Sequence, residues 1–266
     1  MKAQDLIKQN YPPSILIYGP AGTGKTALVS QLSRGYMFDF DGGMRTALSL
    51  KDKFFDVRNA IEFDIYKDEN PYKPRRFPDA MNKIMDIVQQ CSQGKWEHDA
   101  CIIDSLTGMC RASQLFEQHA QGDPFKTMQI QDWGKLVNDV EKMLTLLRSL
   151  KVLVVCTAHV DFLEKPRMNA MGKPIIGETE ITDVFPSSAT KKHGLKNLAW
   201  LFDEVWIAEK KPAGGGKWNY RINGEGDDVK IARSRSGLKT IVHNEEGMVG
   251  LLERMGFKYG RKNIQR

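Results

Sequence analysis

Apolar residues along this chain gather in short blocks, separated by longer stretches with helical periodicity. Ser14–Tyr18 (SILIY) is a continuous apolar run ending in a glycine-rich loop, the pattern of a strand buried on both faces. A helix is predicted over Thr26–Ser33. Tyr36–Phe40 (YMFDF) predicts a second strand, closed by Asp41-Gly42-Gly43. Asp56–Tyr66 is strand-like but mixed. Asn70–Pro78 holds three prolines and predicts a surface loop. Pro78 then opens a helix whose apolar face is Ala80, Met81, Ile84, Met85, Ile87, Val88 and Cys91. Ala100–Ile103 predicts a third strand, ending at Asp104. Trp133–Leu150 predicts a helix with Leu136, Val140, Met143, Leu144 and Leu147 on one side. Lys151–Thr157 (KVLVVCT) predicts a fourth strand. Strands alternating with helices imply an α/β fold, with a mostly parallel central sheet flanked by helices.

The rhythm breaks at Val160–Asn197, which is mixed in charge and contains Pro166, Pro174 and Pro186. It reads as one long loop, and a loop of that length inside a domain points to function. Beyond it, Asp203–Glu209, Trp218–Asn223 and Val229–Ser234 predict antiparallel strands, with Ala213–Gly216 as a turn. The expected organisation is a single domain over residues 1–266. Residues 1–13 form a short leading segment, 14–200 a core, and 201–266 a C-terminal antiparallel extension with a basic tail.

Composition narrows the setting. At 266 residues and 41% hydrophobic, the chain can bury a sizeable core. No apolar run approaches the roughly 18–20 residues of a membrane span, and Met1–Tyr11 does not read as a secretory signal, so no membrane partner is expected. Cys91, Cys101, Cys110 and Cys156 form no C-x-x-C pair and read as free thiols in a reducing compartment, the cytoplasm. His98, His119, His159, His193 and His243 show no metal-ligand spacing. The formal net charge of +6 suits a polyanionic partner. Its positive excess concentrates in Lys210–Lys239 and Glu253–Arg266.

The strongest motif is Gly19-Pro20-Ala21-Gly22-Thr23-Gly24-Lys25-Thr26, which fits G-x-x-x-x-G-K-[ST] between a predicted strand and a predicted helix. Glycines let the backbone curl so that successive N–H groups point at phosphate oxygens. Lys25 would reach the β- and γ-phosphates and Thr26 would bind Mg²⁺, with Ala27 continuing the cradle. This pattern predicts an NTPase that binds ATP with Mg²⁺. Ala100–Asp104, an apolar strand ending in an acid, fits the Walker B pattern, in which Asp104 holds Mg²⁺. Ser105 and Leu106 follow, not Glu, so the acid that activates water must come from elsewhere. Asp41, at the end of the second strand, is the first choice and Asp39 the reserve.

The order GPAGTGKT, FDFDGG, ACIIDSLT, VLVVCTAH resembles the RecA-type ATPase core, and most of all the reduced, core-only RecA-like proteins of bacteriophages, some of which assist single-strand annealing and recombination. The resemblance covers residues 14–160 with good motifs and 200–240 with weaker ones. It implies a RecA-like fold, with Asp41 matching the family's catalytic acid, where filament-forming recombinases carry Glu. His159 matches the polar residue that senses the γ-phosphate. Gly108–Asp132 and Val160–Asn197 match the loops that face DNA. The second of these carries Lys165, Arg167, Lys173, Lys191, Lys192 and Lys196 against five acids. Arg233 and Arg235 match basic residues that reach a neighbouring subunit's ATP, giving a homo-oligomer with nucleotide sites at its interfaces. Further implied are single-stranded DNA and a single-strand-binding protein as partners, and a bacterial host's cytoplasm as the location. Long filaments are not expected, because the first strand begins at about residue 14 and leaves no room for a linking domain.

Three functions fit these motifs: a DNA-stimulated ATPase in recombination or strand annealing, an NTP-driven motor or helicase loader acting on nucleic acid, and a small-molecule or nucleotide kinase. The absence of Glu after Asp104 argues against the commonest motors. The absence of an Arg-rich lid argues against the kinases.

Overall fold

The computed structural model describes residues 12–47, 61–123, 126–169, 171, 173–187, 195–242 and 246–259. The leading Met1–Tyr11, residues 56–60, Lys191, Lys192, His193, His243 and the tail from residue 260 lie outside the described residues, as does the Lys196 side chain.

The first element, β1 (Ser14–Tyr18), runs into the phosphate loop and then α1 (Lys25–Val29), which is shorter than predicted. Next come β2 (Gly35–Asp39), the single turn α2 (Met44–Ala47), β3 (Ile61–Ile65) and α3 (Arg76–Ser92). Then follow β4 (Ala100–Asp104), α4 (Leu106–Ala120), α5 (Ile130–Ser149) and β5 (Leu153–Ala158). The chain continues through β6 (Val160–Met168), β7 (Pro174–Pro186), a 3₁₀ helix Leu195–Leu201, β8 (Glu204–Gly214) and β9 (Lys217–Asn223). It closes with the short β10 (Arg233–Ser234) and β11 (Ile241–Val242), then α6 (Gly247–Arg254).

The main sheet has the order β11-β9-β8-β1-β5-β4-β2-β3, with β10 beside β8. From β8 to β3 every pairing is parallel; β9, β10 and β11 run antiparallel to their neighbours. The fold is therefore α/β, with a mostly parallel sheet and a C-terminal antiparallel edge. Strands β1, β2, β4 and β5 are buried along their whole length, which is why each reads as an unbroken apolar run. Successive side chains feed two cores. Leu16, Phe38, Ile103 and Val154 pack against α3, α4 and α5. Ile17, Met37, Ile102 and Val155 pack against α1 and α6. Truncating a buried leucine such as Leu144 to alanine in such a core costs about 2–5 kcal/mol.

Several expectations need correction. Arg76, not Pro78, begins α3, because the Asp68 carboxylate accepts hydrogen bonds from the Arg75 and Arg76 backbone N–H groups. Met85 points outward and is 53% exposed, while Phe77 takes a place in the core. Helix α5 starts at Ile130, where Gln129 and Asp132 form a capping box.

Most of the predicted loop Gly108–Asp132 is helix. Ser105 caps α4 by accepting a hydrogen bond from Gly108 N–H at 3.0 Å, and Leu106, Met109 and Cys110 are buried beneath it. The predicted loop Val160–Asn197 contains a long hairpin, β6–β7, which forms its own two-stranded sheet. Both of its strands are edges, so Pro166 is tolerated and neither face carries the alternation that marks a half-buried strand. Strand β8 belongs to the central sheet, parallel to β1, rather than to an appended extension. Cys101, Cys110 and Cys156 are free and buried, and Cys91 is free and partly exposed. Among the described residues, no helix is long and apolar enough to cross a membrane.

Candidate nucleotide-binding site

The parallel strands deliver their C-terminal ends to one edge of the sheet, where sites of such folds assemble. Gly19 lets the loop leave β1 against β8: a Cβ there would collide with the Ala208 carbonyl. Gly22 and Gly24 adopt left-handed φ of 74° and 79°, which curls the backbone back on itself. No side chain caps the first turn of α1, so its N–H groups are left for an anion. Thr23 closes the loop by donating its hydroxyl to the Pro20 carbonyl at 2.8 Å. Lys25 is folded into the loop, its Nζ donating to the carbonyls of Gly19 at 2.8 Å and Pro20 at 2.9 Å. Burial lowers its pKa to about 8, opposed by the negative charges of Asp104 and Asp41.

Thr26 Oγ1 donates to Asp104 Oδ2 at 2.8 Å, and the other carboxylate oxygen of Asp104 accepts from the Thr157 hydroxyl. Burial pushes the Asp104 carboxyl up to about 6, and the charges of Asp41 and Asp39 add to that while the two hydroxyls oppose it. A hydroxyl and a carboxylate are the hard oxygen donors that Mg²⁺ prefers. Space for a cation is present as well: Gly43 faces the pair, and a Cβ on it would sit 3.1 Å from both Thr26 Oγ1 and Asp104 Oδ2. Among the described residues, no cluster of three or more His, Cys, Asp or Glu forms a metal cage. One carboxylate, one hydroxyl and the phosphates of a nucleotide make up the donor set usual for Mg²⁺. The residues present thus fit this cation, with Thr26 and Asp104 as its holders.

Asp41 follows β2 and His159 follows β5, and the two meet across the tip of β4, with His159 Nε2 3.3 Å from Asp41 Oδ2. Burial alone would raise the Asp41 pKa. Hydrogen bonds from His159 and Ser105, with the charges of His159 and Arg111, outweigh it and hold the carboxyl below its ordinary value. Asp39 has a different task. It is fully buried and accepts backbone N–H groups from Gly42 at 2.7 Å, Gly43 at 3.0 Å and Met44 at 3.1 Å. Those bonds commit it to the turn that aims Asp41. Loop, metal oxygens and Asp41 share one cleft of about 710 Å³, with Tyr66 and Tyr220 on its walls. That is ample for a nucleoside triphosphate.

The sequence profile of an AAA domain family matches residues 11–208 of this architecture. The chain belongs to that family. Its members are P-loop ATPases. No curated protein matches the chain in sequence. Among solved structures, a KaiC-like protein of Pyrococcus horikoshii OT3 is similar at 11% identity and TM-score 0.44, over 80% of this chain and 78% of that one. The flagellar accessory protein FlaH of Methanocaldococcus jannaschii is similar at 13% identity and TM-score 0.40, over 91% of each chain. An ATPase from the type III secretion system of pathogenic bacteria is similar at 13% identity and TM-score 0.45, over 75% of this chain and 52% of that one.

In this AAA domain the sites read from sequence divide into two groups. Ala21, Gly22 and Gly24 to Ala27, with Asp41, Asp104 and His159, line the cleft, and Gly19, Pro20 and Thr23 hold the loop together behind it. Arg233 and Arg235 do neither. Strand β10 pairs with the start of β8, at the opposite end of the sheet from the phosphate loop. Arg233 donates to the carbonyl of Phe202 and, at 3.3 Å, to that of Trp200, closing the 3₁₀ helix. Arg235 is 60% exposed and pairs with Asp203 at 2.6 Å.

Sequence reasoning missed five contributors. Thr157 orients Asp104. Ser105 and Arg111 act on Asp41. Gly108 makes room for it, since a Cβ there would collide with Asp41 Oδ1 and lie 2.9 Å from the Phe40 Cβ. Thr107 accepts the His159 N–H at 3.0 Å and donates to the Ser187 carbonyl at 2.7 Å, tying α4 to both ends of the β6–β7 hairpin. The N-cap pattern at Ser105, followed by apolar Leu106, Met109 and Cys110, was the available signal for α4 and hence for Gly108 and Arg111.

Proposed function

We propose that this AAA domain binds ATP with Mg²⁺ and hydrolyses it, and that turnover serves the binding of single-stranded DNA in strand annealing or recombination. The observation that carries the hydrolytic half is the ionised Asp41, 3.3 Å from His159 and in the same cleft as Lys25 and the Thr26–Asp104 pair. Lys25 neutralises phosphate charge once triphosphate oxygens compete with the Gly19 and Pro20 carbonyls for its ammonium. The Asp41 carboxylate accepts a proton from the attacking water. His159 holds that carboxylate in place, and the RecA resemblance gives it the sensing of the terminal phosphate. Bound Mg²⁺, held by Thr26 and Asp104, supplies charge neutralisation at the phosphate oxygens.

The net charge of +6 and the base-rich C-terminal region support a polyanionic partner. The exposed position of Arg235, remote from its own cleft, supports assembly in which one copy presents it to the cleft of the next.

The test is Mg²⁺-dependent ATPase activity with and without an oligothymidylate at low salt. Stimulated turnover that disappears in Asp41→Asn is expected. No Mg²⁺-dependent affinity for adenine nucleotide would overturn the ATPase reading. Turnover without DNA binding or stimulation would overturn the nucleic-acid half alone.

A further inference from the structure

We infer that the protruding end of the β8–β9 hairpin is the surface on which this protein holds a single-stranded polynucleotide. The inference rests on the nucleic-acid reading above and narrows it to one surface.

Residues 210 to 221 contain Lys210, Lys211, Lys217 and Arg221 and no acid. Strand β8 leaves the central sheet where β1 ends, at the Ile207–Tyr18 pair, so its second half projects past the phosphate-loop edge together with β9. The register opposes Lys210 to Tyr220 and Pro212 to Trp218, which places Lys210, Trp218 and Tyr220 on one face. The Lys210 ammonium lies 4.3 Å from the centre of the Trp218 ring and 5.8 Å from that of Tyr220. Trp218 is 45% exposed, and every residue from Lys210 to Trp218 is solvent-accessible. Gly214, Gly215 and Gly216 make the turn with positive φ and no side chain to screen the strands.

Aromatic rings interleaved with ammonium groups suit unpaired bases, which stack on the rings while the backbone phosphates meet the lysines. A duplex hides its base faces and cannot use the rings in this way.

The competing surface is the β6–β7 hairpin, which occupies the position that the RecA resemblance gives to a DNA-facing loop. Its charge is wrong for a phosphate backbone. Asp161, Glu164, Glu178, Glu180 and Asp183 outnumber Lys165, Arg167 and Lys173, whereas on the β8–β9 end the one neighbouring acid, Glu209, pairs with Lys211 at 3.5 Å and leaves an excess of base. The β6–β7 hairpin also exposes large apolar side chains, Ile176 at 100% and Met171 at 84%.

The β8–β9 surface also has a mechanical link to the phosphate loop. The Tyr220 ring lies 3.2 Å from where a Cβ on Gly24 would be, and Ala208 backs Gly19. A strand held against Trp218 and Lys210 therefore bears on the two glycines that shape the nucleotide cradle, a direct route for stimulation of turnover.

The experiment uses the full chain with ATP and Mg²⁺ at low salt, and reads the anisotropy of a fluorescein-labelled oligothymidylate. Trp218→Ala is expected to weaken binding at least about fivefold, with Trp218→Phe restoring most of it, because a ring remains. Lys211→Glu combined with Lys217→Glu is expected to weaken binding at least about tenfold and to flatten its salt dependence. Lys165→Glu combined with Lys173→Glu, on the other hairpin, is expected to bind as the parent does. All of these sites are exposed, and an unchanged melting temperature checks that each variant folds. Parent-like binding by both β8–β9 variants would overturn the inference and leave the proposed function standing. Equal displacement of the probe by polyglutamate would overturn it in favour of an acidic protein partner. A parent chain that binds no oligothymidylate would remove the nucleic-acid reading and this inference with it.

Discussion

Asp41 and His159 face each other at 3.3 Å across the tip of the strand that ends in Asp104. Strand β4 lies between their own strands, so the pair spans the strand whose tip carries Asp104. In the proposed reaction the three strand tips act as one unit, with Asp104 to hold the cation, Asp41 the water and His159 the orientation. Asp41→Asn is expected to keep nucleotide affinity within a few fold and to lower turnover by about 10²-fold or more. His159→Ala should lower turnover less, because Ser105 still hydrogen-bonds Asp41. Nucleotide binding and steady-state hydrolysis, measured on both variants, check the split.

The parts of this site that could be read from sequence are those whose chemistry is contiguous in the chain. Gly19 to Thr26 forms a loop by local geometry alone, and Ala100–Asp104 shows its burial as an apolar run. Asp41 was reached from its place at the end of the second predicted strand and His159 only through motif order, because the sequence does not show that β2 and β5 flank β4. Thr157 looks like an ordinary β-branched residue in a strand. Gly108 looks like a loop glycine until α4 is seen to pass Asp41. The β6–β7 hairpin stayed hidden because a two-stranded sheet, solvated on both faces, imposes no apolar alternation. Antiparallel pairing of β9 with β8 was legible from the glycine turn, but the parallel docking of β8 on β1 was not.

Gly108→Ala tests that close passage. Overpacking of this kind costs about 1–3 kcal/mol, and here the colliding atoms are the Asp41 carboxylate and Phe40. The expected outcome is a lower melting temperature together with a turnover loss larger than any loss of nucleotide affinity. An alanine at Gly134, which has nothing within 4 Å of its Cβ position, serves as the control and should do neither.

Lys25 gives the pH dependence. Its pKa is lowered from 10.5 to about 8, so between those values the folded chain binds fewer protons than the unfolded chain. The stability slope with pH is therefore positive in that window: the cost of burying the ammonium is fully present below pH 8 and is relieved as pH rises. Nucleotide affinity runs the other way, because the triphosphate needs the protonated lysine. Affinity should fall as pH rises through about 8, with proton uptake on binding there. Titration calorimetry in buffers of different ionisation enthalpy measures that uptake directly, and Lys25→Ala should abolish it.

Arg233 and Arg235 separate structural from intersubunit roles. Arg233 closes the 3₁₀ helix through the Phe202 and Trp200 carbonyls, so Arg233→Ala removes the donor from the partly buried Phe202 carbonyl and should cost about 1–3 kcal/mol. Arg235 makes one exposed pair with Asp203, worth about 0–1 kcal/mol, so Arg235→Ala should melt close to the parent. If Arg235 serves the cleft of a neighbouring copy, its loss lowers turnover only at concentrations where copies assemble. Mixing Arg235→Ala with Asp41→Asn should then restore activity, because an interface can pair an intact Asp41 with an intact Arg235. Monomeric Arg235→Ala that loses as much turnover as assembled protein, or mixtures that recover nothing, would confine the residue to its own chain. Rates measured against protein concentration, beside the mass distribution in solution, decide between the two.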